Sequence, residues 1–153
     1  MHETNVHPFG MHANGDITLF TPGIIIPVLK IAVAAVTVIL VASLIALALG
    51  RKRLHGRLNI VFFILTMTAV LGLELIIRFV NPAFTSQFTP DQREMLLIHL
   101  SFAIPAAIVL PFMLFSGLTH RSWHVLLAIV FSALWIGTFV TGIFYLPHSF
   151  PQP

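Results

Sequence analysis

The chain contains no cysteine and very little charge. The absence of cysteine excludes disulfides, thiolate metal sites and the paired-thiol relay by which some copper chaperones pass on their ion. Eight basic and five acidic residues make up only 8% of the 153 positions. A soluble domain carries about 25% charged residues, so this chain cannot build an ordinary water-facing surface. Disorder is excluded as well, because disorder requires low hydrophobicity and 58% of this sequence is apolar. No glycine-rich phosphate loop, no HExxH signature and no serine, histidine and acid combination is present. What remains is an integral membrane protein of helical type, with eight histidines among few other polar groups.

A helix crosses lipid with roughly 20 apolar residues, and four stretches meet that length. They are residues 23–49, 58–80, 93–117 and 123–146. Thr21-Pro22 and Gly50 bound the first, Asn81-Pro82 ends the second and Pro147 stops the fourth. Residues 1–22 read as a polar tail rather than a signal peptide, residues 23–148 as one transmembrane domain, and 149–153 as a C-terminal tail. None of the stretches alternates as a strand would, and open sheets cannot span lipid. The expected fold is an all-α, up-and-down four-helix transmembrane bundle. Pro105 and Pro111 lie inside the third stretch and predict a kink there. Two rows of small residues, Ala42-Ala46-Gly50 and Ala133-Gly137-Thr141, suggest close helix approach.

The basic residues cluster. The segment GRKRLHGR, Gly50 to Arg57, holds four of them, and Arg121 lies in the turn after the third span. Such loops face the cytoplasm. Both termini and the middle loop are then expected outside, in a multi-pass protein of the inner (cytoplasmic) membrane. The net charge of +3 is thus an orientation signal for a chain in a lipid bilayer, and no nucleic-acid partner is expected.

Charge inside lipid costs at least about 2.5 kcal/mol per group and marks places where helices face protein or water. Apart from Arg93 and Glu94 at the outer entry of the third, Lys30, Glu74 and Arg78 are the charged residues within the spans. Counted along their helices, Lys30, Glu74 and His99 each lie roughly 10 Å in from the outer end. Together they could form a polar site for a metal, a haem ligand or a proton. The competing reading is an i, i+4 ion pair of Glu74 with Arg78, with Lys30 snorkelling outward and His99 hydrogen-bonded nearby. His99, among Leu96, Leu97, Ile98 and Leu100, cannot snorkel and needs a partner.

Two more histidines, His55 and His124, lie at matched depth on the inner side, with His120 one turn before His124. Paired histidines on neighbouring helices can ligate a b-type haem or a transition metal. They can equally bind only water and lipid phosphate. His148 lies just beyond the fourth span, and His2, His7 and His12 lie in the tail. A histidine-bearing tail can capture copper, or can simply be polar.

Several patches resemble a known family. They are RLHGRLN around His55, LLIHLSFAIPAAIVLPFMLFSGL from Leu96, and THRSWH followed by FVTGIFYL. Over roughly residues 51–148 the chain resembles the family numbered 420 among domains of unknown function (DUF420), which includes oxidase-maturation proteins of the CtaM or YozB type. The resemblance implies a role in assembly of a haem-copper oxidase, through copper or haem delivery. Carried over by position, it points to His55, His99 and His124 as ligands. Related chains often carry a further histidine after the second span, where this one has Arg78-Phe79-Val80.

The expectation is therefore a small accessory or assembly factor of a respiratory haem-copper terminal oxidase, in contact with oxidase subunits. His55, His124 and His99 would hold a cofactor, and His99, Glu74 and His148 a metal, with Lys30 and Arg78 as supporting charges. The cofactor would be copper or haem, and no catalytic residue is expected. The alternatives are a b-type haem electron-transfer subunit using His55 and His124, and a non-catalytic structural subunit of a larger membrane complex.

Overall fold

The computed structural model describes residues 22–80, 84–119 and 122–146. Four helices long and apolar enough to cross a membrane account for nearly all of them. Helix α1 is Pro22–Ala48, and α2 is Lys52–Leu75, continued by a π-helical turn, Ile76–Val80. A short 3-10 turn, Phe84–Gln87, leads to α3, Pro90–Leu118. Helix α4 is His124–Val140, continued by a second π-helical turn, Thr141–Tyr145. The described residues contain no strand.

Short connections make two antiparallel hairpins, α1 with α2 and α3 with α4. At the first turn the chain reverses through Gly50, whose φ of +73° lies in the left-handed region that favours glycine. The hairpin turns share one end of the bundle, termed here the basic end. Residues 76–80, residues 84–90 and the last turn of α4 lie at the far end. An even number of crossings brings both ends of the bundle domain to the same side.

Two helix starts differ from the hydropathy reading. Helix α2 begins at Lys52 rather than at Leu58, so Lys52, Arg53 and Arg57 stand on its first turns and not in a loop. Hydropathy marks the lipid boundary, whereas Lys, Arg and Leu all favour a helix that continues beyond it. Helix α3 begins at Pro90, before Arg93. Thr89 caps it: its hydroxyl accepts from the Gln92 amide at 3.3 Å, and the Gln92 side chain accepts from the Thr89 amide at 3.0 Å. Proline at the first helical position completes that start. Pro105 and Pro111 are both accommodated within α3.

The core lies at mid-bundle. Phe62 of α2 is fully buried. Its ring meets Phe131 edge-on at 5.8 Å and Trp135 at 4.9 Å, and Leu110 and Ala106 of α3 belong to the same buried cluster. Trp135 Nε1 donates to Thr37 Oγ1 at 3.2 Å, tying α4 to α1. A second cluster joins Ile25 and Ile26 to Phe84 and Phe88, so the 3-10 turn covers the far end. The outward surface is almost all apolar, including Val38, Ile64, Leu97, Phe112 and Ile136. That surface suits a lipid bilayer. Helices there associate by close packing and interhelical hydrogen bonds, since lipid is as apolar as leucine.

Candidate functional site

Three histidines fall within the described residues, and each ring is held through Nδ1 by the neighbouring helix of its hairpin. The acceptors decide which nitrogen carries the proton.

At the basic end of the first hairpin, His55 Nδ1 lies 3.0 Å from the Ser43 carbonyl and 2.9 Å from Ser43 Oγ. A carbonyl only accepts, so Nδ1 is the protonated nitrogen. The Ser43 hydroxyl donates to Asn59 Oδ1 at 2.6 Å, and the Asn59 amide is 3.1 Å from His55 Nε2. The amide nitrogen donates there, because Nε2 holds the lone pair. Ser43, Asn59 and His55 thus form a closed ring of hydrogen bonds that uses both imidazole nitrogens. Ser43 is fully buried, so the ring satisfies a hydroxyl that lipid would leave unpaired.

The second hairpin has a counterpart at the same end. His124 Nδ1 lies 3.1 Å from the Met113 carbonyl and 3.2 Å from Ser116 Oγ. The Ser116 hydroxyl donates to that same carbonyl at 2.8 Å. Nδ1 is again the donor, and the ring lies against Gly117, where an added Cβ would come within 2.8 Å of His124 Cε1. No described residue hydrogen-bonds the Nε2 of His124.

His99 closes the far end of the second hairpin. Its Nδ1 is 3.0 Å from Thr141 Oγ1. The Thr141 hydroxyl already donates to the Gly137 carbonyl at 2.7 Å, so Nδ1–H donates to the hydroxyl oxygen. The ring packs on Gly142, where an added Cβ would stand 3.0 Å from Cε1. Its Nε2, like that of His124, receives no hydrogen bond from a described residue.

Lys30 reaches the same last turn of α4. Its ammonium donates to the Leu146 carbonyl at 2.7 Å and the Ile143 carbonyl at 3.2 Å. A cation at a helix C-terminus meets unpaired carbonyls and the negative end of the helix dipole. Lys30 therefore caps α4 rather than snorkelling outward. The turn it caps is π-helical, with the Leu146 amide bonded five residues back to the Thr141 carbonyl at 3.2 Å.

Glu74 faces elsewhere. Its carboxylate pairs with Arg78 one turn on, and both side chains are more than half exposed, at 51% and 70%. Neither an ion pair nor a hydrogen bond joins Glu74 to His99. Of the three groups that share a depth in the sequence, Lys30 and His99 converge on residues 141–146, and Glu74 does not join them. His148, His120, Arg121 and the tail histidines His2, His7 and His12 lie outside the described residues.

Hydropathy gave no weight to the partners that hold the histidines: Ser43, Asn59, Ser116 and Thr141. The available signal was a small polar residue inside an apolar span, where a side chain must bond to its own helix or a neighbour. Among the described residues no three His, Asp or Glu side chains gather as a complete metal-binding group. Each open imidazole thus supplies one donor. No family model, no curated protein and no solved structure matches the chain.

Proposed function

We propose that this protein is a small integral membrane accessory factor of a respiratory haem-copper oxidase, handling copper or haem through His99 and, at the opposite end of the same hairpin, His124. The observation that carries the ligand reading is the state of His99. Its Nδ1–H is committed to Thr141, and its Nε2 lone pair is left without a partner among the described residues. A ligating histidine needs that arrangement. A bond from its other N–H fixes the tautomer and ring orientation and raises the basicity of the donor nitrogen. Neutral imidazole suits copper and haem iron alike.

The oxidase link rests on the family resemblance of the patches around His55, His99 and His124. The cargo would be held by one imidazole of this chain together with donors from elsewhere, and a single protein ligand favours release by ligand exchange. His148, two residues beyond Leu146, is the nearest further histidine in sequence. His55 has the weakest case as a ligand, since Asn59 already occupies its second nitrogen. An electron-transfer haem held between His55 and His124 would first have to break that bond.

The test is metal and haem analysis of protein purified from its native membrane, with oxidase activity measured in the same strains. Copper or haem is expected in the wild-type protein and is lost in His99→Ala along with oxidase activity. Thr141→Val keeps the ligand but removes the hydroxyl that accepts from Nδ1–H, leaving the Thr138 backbone as a partner of the ring, and should weaken binding roughly 10-fold. Absence of both copper and haem, with normal oxidase activity in the His99→Ala strain, would overturn the proposal.

A further inference from the structure

The basic end carries a feature that the histidines do not use. Gly50, Arg51, Lys52, Arg53, Leu54 and Arg57 line an open notch of about 450 Å³. All four cationic side chains are exposed. Among the described residues none of them forms an ion pair, the only one being Glu74 with Arg78 at the far end. Described acidic residues, Glu74, Asp91 and Glu94, all belong to the far end. Four cations therefore share one concavity with no counter-charge from the described residues. Helix α2 adds to that field, having neither a side-chain cap nor an acid in its first turn.

The position of the notch selects the anion. Residues 31–50 of the first hairpin contain no charge, and neither do residues 58–73. Both helices are thus uncharged up to the notch, which places its cations where the apolar span ends and phospholipid headgroups begin. We propose that the Arg51–Arg57 notch binds the headgroup phosphate of an anionic phospholipid. Guanidinium groups match phosphate oxygens in pairs, and Arg supplies three of the four cations. The Gly50 turn, with its positive φ, joins α1 to Arg51 at the start of α2.

The proposal is independent of any metal function. It is tested by native mass spectrometry of the full-length protein in detergent, titrated with phosphatidylglycerol or with phosphatidylcholine of the same acyl chains. Phosphatidylglycerol adducts should dominate. Each cation near a membrane surface contributes roughly a fivefold change in binding. Arg53→Gln with Arg57→Gln should therefore weaken adduct formation by roughly 25-fold. Arg53→Lys with Arg57→Lys, which keeps the charge but loses the paired guanidinium bonds, should weaken it clearly less than the glutamine variant, and Arg93→Gln at the far end should change nothing. Circular dichroism and the lysine variant separate lost binding from lost folding. Equal binding of the two lipids, or unchanged binding by the glutamine variant, overturns the proposal. Displacement of the lipid by millimolar inorganic phosphate also overturns it, because the notch would then be a site for free anions.

Discussion

The two hairpins close at the basic end with the same device and spend it differently. In each, a histidine near the start of the returning helix donates from Nδ1 to a carbonyl and a serine hydroxyl on the outgoing helix. In the first hairpin Asn59 takes the remaining nitrogen, so His55 is saturated. In the second nothing described takes it, and His124 keeps a lone pair. Glycine divides the same way. In the first hairpin an added Cβ at Gly56 or Gly72 would meet nothing within 4 Å. In the second, Gly117, Gly137 and Gly142 each seat a ring, those of His124, Phe102 and His99. The first hairpin is thus tied by a closed polar network, and the second by rings laid on bare backbone. Only the second presents imidazole nitrogens for use.

The largest expected effect breaks the glycine half of that contrast. In Gly137→Ala the new Cβ would lie 2.4 Å from Phe102 Cδ1 and 2.8 Å from Cγ, so the whole ring must shift. The expected loss is about 1–3 kcal/mol, read by unfolding in detergent micelles. Gly72→Ala, with open space around it, should be neutral or stabilising by up to about 1 kcal/mol. Equal losses at the two sites would erase the difference between the hairpins.

Next come the histidines. His55→Ala strands the Asn59 amide and leaves the Ser43 carbonyl with only its helical bond, and should cost about 2 kcal/mol. His124→Ala leaves Ser116 still bonded to Met113 and should cost only about 1 kcal/mol. The same unfolding assay ranks them. A larger loss for His124→Ala would mean that its Nε2 is engaged in the folded protein.

The smallest effect concerns threonine. Thr66 of the first hairpin buries a hydroxyl with no hydrogen-bond partner among the described residues. Thr66→Val removes that unmet group without changing shape, and should stabilise by up to about 1 kcal/mol. Thr141→Val in the second hairpin should do the reverse, because that hydroxyl links His99 to the Gly137 carbonyl. A destabilising Thr66→Val would reveal a partner for that hydroxyl.

Several features are legible in the amino-acid sequence alone. Low charge and four apolar runs determine a helical membrane bundle, because only closed hydrogen bonding survives in lipid. The pair of Glu74 with Arg78 follows from i, i+4 spacing alone. The capping box at Thr89 and Gln92 has a Thr-x-x-Gln signature that hydropathy passed over, and it places the start of α3 ahead of the lipid boundary, at Pro90 rather than Arg93. Depth in the membrane also follows from counting, since the rise per residue is constant.

Rotation about each helix axis does not follow from counting, and the candidate site depends on it. Lys30, Glu74 and His99 share a depth, yet only the packing decides that two of them meet at the last turn of α4 while Glu74 faces outward. The same holds for protonation. The sequence by itself determined that His55, His99 and His124 stand at helix positions in an apolar bundle. Only the tertiary structure decided that Asn59 consumes the second nitrogen of His55 and that no described residue does so for the other two. The physical reason is that a hydrogen bond requires a partner within about 3 Å. These partners come from a neighbouring helix or from an adjacent turn of the same one, at rotations that no run of apolar residues encodes.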